Sequence, residues 1–488
     1  MKNRRLSKSR FVSGLQCHKL LWWKTHEPDA PELQPDESLQ VIFDQGTRIG
    51  EIACEYIPGG VLIDHPHYEV MNKVKATNEA IEKGAKAIYE ASFIAGGVFV
   101  AVDILEKTRG GWNLIEVKST TSAKPVHIPD VAVQKYTLEK AGISVKHVFL
   151  MHLNRECRYP DLSNLFARTD LTTDAEKLLP TVRKEITLQK RMLAGKLPKI
   201  EVGEFCTDPY ECPFMGRCWP AEMPEHHVST LYRMKNKASG LEAQGFETIF
   251  DIPGDYPLSA IASRQREAVK TDEIVVASGL EKALESIKRP VAFLDFETIN
   301  MAIPVWNGCR PYDQVAVQFS CHVLGKRGGI KHHEWLASGS KDPRREMAEK
   351  LLAACEGAET IIAYNAPFEK RVIRETADVL PGLKRRLRAL NEKFVDLLPI
   401  VRNHVYHPDF GGSFSIKSVL PALVPKLSYD DLEIADGQAA SDSLKTMLFS
   451  GDSLSTDAKI ALQKNLLAYC RLDTYAMVVL HEKLRELI

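Results

Sequence analysis

Apolar and polar positions along the chain repeat with different periods in different stretches. Ser7 to Lys24 follows a helical pattern that carries Cys17, and residues 37–58 read as a further amphipathic helix. From Gly60 to about Leu153 the pattern shifts to short apolar runs separated by glycines. Phe93 to Leu105 predicts one strand, Arg109-Gly110-Gly111 a turn, and Trp112 to Lys118 the returning strand. Val131 to Ala141 predicts a helix, Val145 to Leu153 a strand, and residues 173–195 a long helix of mixed charge. A cysteine-rich stretch, Cys206 to Cys218, then ends in Trp219-Pro220.

Residues 221–290 read as a unit of their own. Gly245 separates two apolar segments between Leu241 and Pro253, as in a helix-hairpin-helix or a plain packing spacer. Beyond Pro290, Val291–Leu294, Gln314–Val323 and Thr360–Tyr364 predict strands, and Glu369–Glu375 predicts a helix. From an N-cap at Thr456 the chain ends in one long amphipathic helix. Alternating strands and helices indicate an α/β fold. The 488 residues suit two or three domains, expected at 1–222, 223–288 (a helical linker) and 289–488.

Composition adds little to this division. Hydrophobic residues at 44% and charged residues at 26% fit a soluble globular protein, so each half can bury a core. The formal net charge is zero, which gives a nucleic-acid partner no global support. Two local basic clusters, Lys2, Arg4, Arg5, Lys8 and Arg10, and Lys384, Arg385, Arg386 and Arg388, read either as solvated faces or as phosphate contacts. No signal-peptide-like apolar stretch follows the basic N-terminus, and no run reaches the ~18 apolar residues of a membrane span. A cytoplasmic protein is expected. Its ten cysteines are then not disulfides, and clustered ones need a metal or redox reading.

The first constellation lies in the predicted hairpin. Asp103 follows the apolar run Val98–Val102, and period two puts Glu116 and Lys118 on one face of the returning strand. Two carboxylates can hold a divalent metal, and an ammonium beside them can orient water or stabilise developing charge. An exposed Glu-Lys strand edge is the alternative. Asp130, Gln134 and Tyr136 follow on the next helix. Together with Asp103 and Glu116-Val117-Lys118 they resemble the RecB-like branch of the PD-(D/E)XK nucleases over about residues 7–222. The resemblance implies a restriction-endonuclease-like core, with Asp103 and Glu116 as metal ligands and Lys118, Gln134 and Tyr136 completing the catalytic set. Gln134 and Tyr136 are two apart and do not share a helix face. Many RecB-like nucleases carry a metal-binding histidine on an early helix. The matching stretch here, Gly46 to Glu51, has none, so Glu51 substitutes or the position is empty. Glu90 is a further acidic candidate, or a helix-surface residue.

Cys17 stands alone upstream, while Cys206, Cys212 and Cys218 form a trio with five residues between neighbours. This bracketing of a nuclease core resembles the iron–sulfur nucleases of the CRISPR-associated and AddB types. It implies a 4Fe–4S cluster on Cys17, Cys206, Cys212 and Cys218 that ties the two ends of the domain together. Four thiolates suit such a cluster. Zinc is the alternative, although it favours shorter Cys-x₂₋₄-Cys spacing, and unliganded buried thiols are the third reading. Cys54, Cys157, Cys309, Cys321, Cys355 and Cys470 are scattered and read as structural.

The second constellation begins at Asp295-Phe296-Glu297. Period two puts both carboxylates on one face, and such a pair calls for a cation between them. An exposed acidic strand end is the alternative for a lone Asp-x-Glu. Asn365, Phe368 and Glu369 follow a strand and open a helix, and Tyr469 and Asp473 share a face of the last helix, which Asn465 extends. The three motifs together resemble the DEDDy branch of the DnaQ-like exonucleases over roughly residues 289–488. The resemblance implies an RNase H-like fold in which Asp295, Glu297, Glu369 and Asp473 bind two Mg²⁺ or Mn²⁺ ions and Tyr469 orients the attacking water. Glu369 departs from the aspartate usual in that family. Asp396 is a spare carboxylate, either compensating or structural, and Ser415 and Lys417 meet a phosphate or simply start a helix.

The two halves together resemble a bacterial family that fuses these nucleases. The leading expectation is a metal-dependent DNA nuclease acting in repair, recombination or defence, with 3′–5′ exonuclease activity from the C-terminal domain. RNA is the alternative substrate, because nothing in the sequence reads the 2′-OH. A nucleic-acid-binding scaffold with decayed centres is the third possibility.

Overall fold

The computed structural model describes residues 5–219, 223–234, 238–427, 432–434, 436–449 and 454–488. Lys2, Arg4 and Pro220, singled out above, lie outside them. The protein is a mixed α/β molecule of two compact units, Met1–Ala221 with Ala302–Tyr312, and Glu222–Met301 with Asp313–Ile488.

This grouping differs from the three-part division. The described residues of 223–288 fold with the C-terminal part, and 302–312 with the N-terminal part. Packing explains both. The Val275–Val276 strand pairs with Val405–Tyr406, whereas Ala302 is buried among Ile49, Leu153, Cys157 and Leu165. In that same N-terminal unit Cys309 and Gly308 exchange backbone hydrogen bonds with Tyr159.

The first unit contains strands β1 (Leu6–Ser7), β2 (Val61–Leu62), β3 (Ala87–Ala95), β4 (Val98–Thr108), β5 (Gly111–Lys118), β6 (Val145–Leu153) and β7 (Phe166–Asp170). They form one sheet in the order β2-β3-β4-β5-β6-β7, with β1 paired in parallel to β4. β3, β4 and β5 are antiparallel neighbours, and β5 joins the parallel β6 through the helix Ile128–Lys140. Val98, Val100 and Val102 alternate into a core shared with Phe11, Val131 and Leu150. Burying each such side chain contributes about 1.5–3 kcal/mol.

Two elements depart from expectation here. The stretch expected as one strand, Phe93–Leu105, is a hairpin, because Gly96 and Gly97 adopt φ of 60° and 89° and turn the chain. The helix expected over Ser7–Lys24 is two, Lys8–Gln16 and His18–His26, broken where Cys17 takes up extended backbone. Gly14 lets the first of these approach the long helix Thr172–Leu193. A Cβ there would lie 2.4 Å from the Gln189 side chain, which donates a 3.1 Å hydrogen bond to Phe11 O.

The second unit contains β8 (Val275–Val276), β9 (Val291–Asn300), β10 (Gln314–Leu324), β11 (Ile330–Leu336), β12 (Thr360–Ala363), β13 (Phe394–Asp396) and β14 (Val405–Tyr406). Its main sheet runs β11-β10-β9-β12-β13, antiparallel from β11 to β9 and parallel from β9 to β13. The helix Thr456–Glu486 packs on β9 and β10, and its N-cap is Ser455 rather than Thr456, with the Ser455 hydroxyl accepting from Ala458 N. β9 runs past Leu294, so Asp295 and Glu297 sit within the strand rather than after it. Among the described residues, Leu241–Pro253 holds the end of one short helix and a 3-10 turn in place of two full helices. The five-residue helix Ala238–Glu242 turns at Gly245 (φ 89°) into the 3-10 turn Ile249–Asp251.

Candidate functional sites

In the first unit β4 and β5 pair Ile104 with Ile115, which makes Asp103 and Glu116 the next residues across the ladder. Asp103 Oδ2 accepts a 2.7 Å hydrogen bond from Val117 N. Glu116 is buried at 1% exposure and its carboxylate is enclosed by donors. Lys118 Nζ lies 2.7 Å from Oε1 and 2.8 Å from Asp130 Oδ2. Gln134 Nε2 donates to Oε2 at 2.7 Å. Lys8 Nζ reaches both oxygens, at 2.8 and 3.0 Å.

Burial opposes ionisation of Glu116, but Lys8 and Lys118 overcome it and hold the carboxyl well below the usual range. Burial also works against both ammonium groups, and the carboxylates around them raise them in net. Asp103 is shifted upward by burial and by the charge on Glu116, and Asp130 moves the same way.

Other expected members fall elsewhere. Tyr136 is buried in the core with its ring against Gly96, on the helix face away from Gln134, and so is not among the groups bound to Glu116. Glu51 is exposed and paired with Arg48 at 3.0 Å. The neighbouring Cys54 is the side chain of the helix Glu37–Glu55 whose thiol is pushed up to about 11, by burial and then by Asp103 and Glu90. Glu90 lies on β3 and not on a helix. The register pairs Tyr89 with Ile104 and Ala91 with Val102, which leaves Glu90 across from Asp103. Lys8 was legible only as part of a basic cluster, and the pairing of β1 with β4 carries it into the site.

Cys17, Cys206, Cys212 and Cys218 line one small cavity with Leu20, Trp23 and Met215. Burial raises the Cys212 thiol, and Cys17, Cys206 and Cys218 add to the effect. Gln16 Nε2 joins the upstream helix to the downstream loop through Phe205 O (2.8 Å) and Tyr210 O (2.7 Å). Among the described residues, no three of these sulfurs lie within 4.8 Å of one another. A single tetrahedral zinc, with Zn–S of ~2.3 Å, would bring its sulfurs to ~3.8 Å.

In the second unit β9 presents Asp295 and Glu297 on one face, while Phe296 packs edge-on against Phe319 on the other. Single ligand atoms of Asp295, Glu297 and Cys470 lie within 4.8 Å of one another. Glu369 enters from the first turn of the helix Pro367–Val379. The preceding turn needs φ of 77° at Asn365, a residue that tolerates the left-handed region, and Asn365 N donates to Asp396 Oδ1 at 2.9 Å. The same oxygen caps the helix Leu397–His404 through Leu398 N, so Asp396 braces the turn that presents Glu369.

Burial and then Asp473, Glu297 and Glu369 push Asp295 well above the ordinary carboxylate range. Glu297 is pushed up to about 8 by burial and Asp473, against the pull of Lys417. Glu369 also reaches about 8, chiefly through burial. Its Oε2 is buried and has no hydrogen-bond partner among the described residues. Buried, mutually repelling carboxylates with an unsatisfied oxygen have the donor set and charge that suit divalent cations.

Tyr469 is buried beside this group, its phenol raised by burial and by Asp473. Lys417 Nζ sits 5.2 Å from the centre of its ring. Ser415 caps the helix Ile416–Leu423, its hydroxyl accepting from Ser418 N. Asn465 pairs with Glu433. Cys470, read as structural, is the member that sequence reasoning missed, although its place between Tyr469 and Asp473 was a signal. In the second basic cluster Lys384 and Arg388 both pair with Asp378.

Residues 292–415 match a family described as a domain of unknown function (DUF2779). The match includes Asp295, Glu297 and Glu369 and ends before Tyr469. The chain is similar to the uncharacterized protein MG366 homolog of Mycoplasma pneumoniae, 23% identical over 235 residues, which is 44% of this chain and 35% of that protein. It is also similar to the uncharacterized protein UU173 of Ureaplasma parvum serovar 3, 23% identical over 247 residues, 45% of this chain and 34% of that protein. The chain spans about a third of the length of these curated relatives.

Proposed function

We propose that the protein is a cytoplasmic, metal-dependent nuclease that fuses a RecB-like iron–sulfur PD-(D/E)XK unit to a DnaQ-like exonuclease of RNase H-like fold, and that it trims DNA from the 3′ end. The observation that carries this reading is the buried group Asp295, Glu297 and Glu369, with raised carboxyls and an unsatisfied Glu369 Oε2, under the electrostatic influence of Asp473. Asp295, Glu297, Glu369 and Asp473 would hold Mg²⁺ or Mn²⁺. Such ions, when bound, supply Lewis-acid activation of water and stabilise a leaving oxygen. Tyr469 orients the water, and Lys417, beside its ring, meets the phosphate being cut.

The first unit supplies a second centre of the same chemical class in Asp103, Glu116 and Lys118. Its cysteine quartet, spaced more widely than a single zinc requires, supports a structural 4Fe–4S cluster.

A cleavage assay on anaerobically purified protein tests the exonuclease. End-labelled single- and double-stranded DNA and RNA are incubated with Mg²⁺ or Mn²⁺, using wild type and Asp295→Asn. Stepwise shortening from the 3′ end that the substitution abolishes supports the reading, and the polymer degraded names the substrate. Binding with every polymer left intact would replace the enzyme with a nucleic-acid-binding scaffold.

A further inference from the structure

We infer that Lys8 is a built-in counter-cation of the first centre and that it holds Glu116 closed to divalent metal. This rests on reading Asp103, Glu116 and Lys118 as a nuclease centre. An ionised carboxylate offers about four acceptor positions. On Glu116 all four are taken: Oε1 by Lys8 at 2.8 Å and Lys118 at 2.7 Å, and Oε2 by Lys8 at 3.0 Å and Gln134 at 2.7 Å. Lys8 Nζ thus bridges both oxygens, the position a chelated ion would take. Lys118 already occupies the position of the motif's own lysine, so Lys8 is a second ammonium.

The fold delivers Lys8 there. β1 pairs Leu6 with Val98 and Ser7 with Phe99, and Ser7 caps the helix that Lys8 begins, its hydroxyl accepting from Arg10 N at 3.3 Å. The Lys8 side chain is 22% exposed, against 1% for the Glu116 carboxylate it covers. The charge balance agrees. Removing Lys8 takes one positive charge from a centre in which burial and the charge on Glu116 already push Asp103 and Asp130 upward. The second centre differs, since the groups acting most strongly on Asp295 are three other carboxylates and a thiol.

The test is Mn²⁺ titration of the full chain, followed by EPR of free Mn²⁺, in an Asp295→Asn/Asp473→Asn background that silences the second centre. Lys8, Lys8→Met, Lys8→Gln and Lys8→Arg are compared, with thermal melting to establish that each is folded. The inference expects Lys8→Met and Lys8→Gln to gain one ion at least ~10-fold tighter than the parent. Adding Glu116→Gln should abolish that gain, and Lys8→Arg should behave as the parent. Equal affinity in parent and Lys8→Met, lost in both with Glu116→Gln, overturns the inference while leaving the nuclease centre standing. No Mn²⁺ bound in any variant overturns both.

Discussion

The thiol of Cys470 lies 3.7 Å from Oδ2 of Asp295, the carboxylate at the middle of the acidic group in the second unit. Burial and the carboxylates around it keep this thiol neutral, its pKa pushed well above the ordinary value. It therefore brings a weak donor to Asp295 without adding another negative charge. The remaining strain on Asp295 comes from burial, Asp473, Glu297 and Glu369.

Asp295→Asn removes one repelling carboxylate and keeps its shape. In EDTA the variant is expected to be more stable than wild type by about 1 kcal/mol, and Mn²⁺ should raise the Tm of wild type only. Calorimetry with and without Mn²⁺ reads both effects. A clear loss of stability in EDTA would mean that the acidic group is not strained.

Proton binding gives the same site a pH signature. Glu297 and Glu369 titrate at about 8 when folded, against ~4.3 in an unfolded chain, so the folded state binds more protons between these values. The contribution of these two groups to stability in EDTA is therefore full below ~4.3 and is lost as pH rises toward about 8. Metal binding competes with those protons, so the Mn²⁺-induced rise in Tm should grow over the same range. Melting curves from pH 5 to 9 decide the point, and a shift independent of pH would contradict it.

Tyr469→Phe deletes only the phenolic oxygen. If Tyr469 orients the water, kcat should fall about 10²-fold with KM and Mn²⁺ affinity nearly unchanged. A rise in KM alone would assign the tyrosine to substrate binding.

Asp396 acts through backbone, capping Leu398 N and holding Asn365 N. Asp396→Ala is expected to cost about 1–2 kcal/mol, and Asp396→Asn, which can still cap, a fraction of that. Denaturant titration separates the two. Loss of Mn²⁺ binding in Asp396→Asn with its stability intact would instead make Asp396 a ligand.

The cysteine quartet predicts roughly four irons and four sulfides per chain after anaerobic purification, with visible charge-transfer absorbance. Cys212→Ala should lose both and lower the Tm. Elemental analysis that found one zinc and no iron would reject the cluster.

Much of each centre was legible because its residues obey local periods. Asp295 and Glu297 are two apart on a strand, as are Glu116 and Lys118, and Tyr469 and Asp473 are four apart on a helix. The cysteine spacing around a predicted core was equally readable. Misreadings arose where local pattern was ambiguous. Gly96-Gly97 hid a hairpin inside an apolar run, and an extended Cys17 split a helical pattern. On the helix Glu37–Glu55 the acidic Glu51, expected as a substitute ligand, is exposed and pairs with Arg48.

The sequence by itself determined the α/β character, the strands and helices that carry the acidic motifs, and the residue types available for chemistry, because these follow from periods of two and 3.6 along a single element. Only the tertiary structure decided which distant segments share a site. It brought Lys8 onto Glu116, Cys470 against Asp295, Asp396 beneath the Asn365 turn, and residues 302–312 into the N-terminal unit. The physical reason is that such pairings depend on β-ladder register and on packing between residues far apart in the chain, neither of which leaves a periodic trace in the sequence.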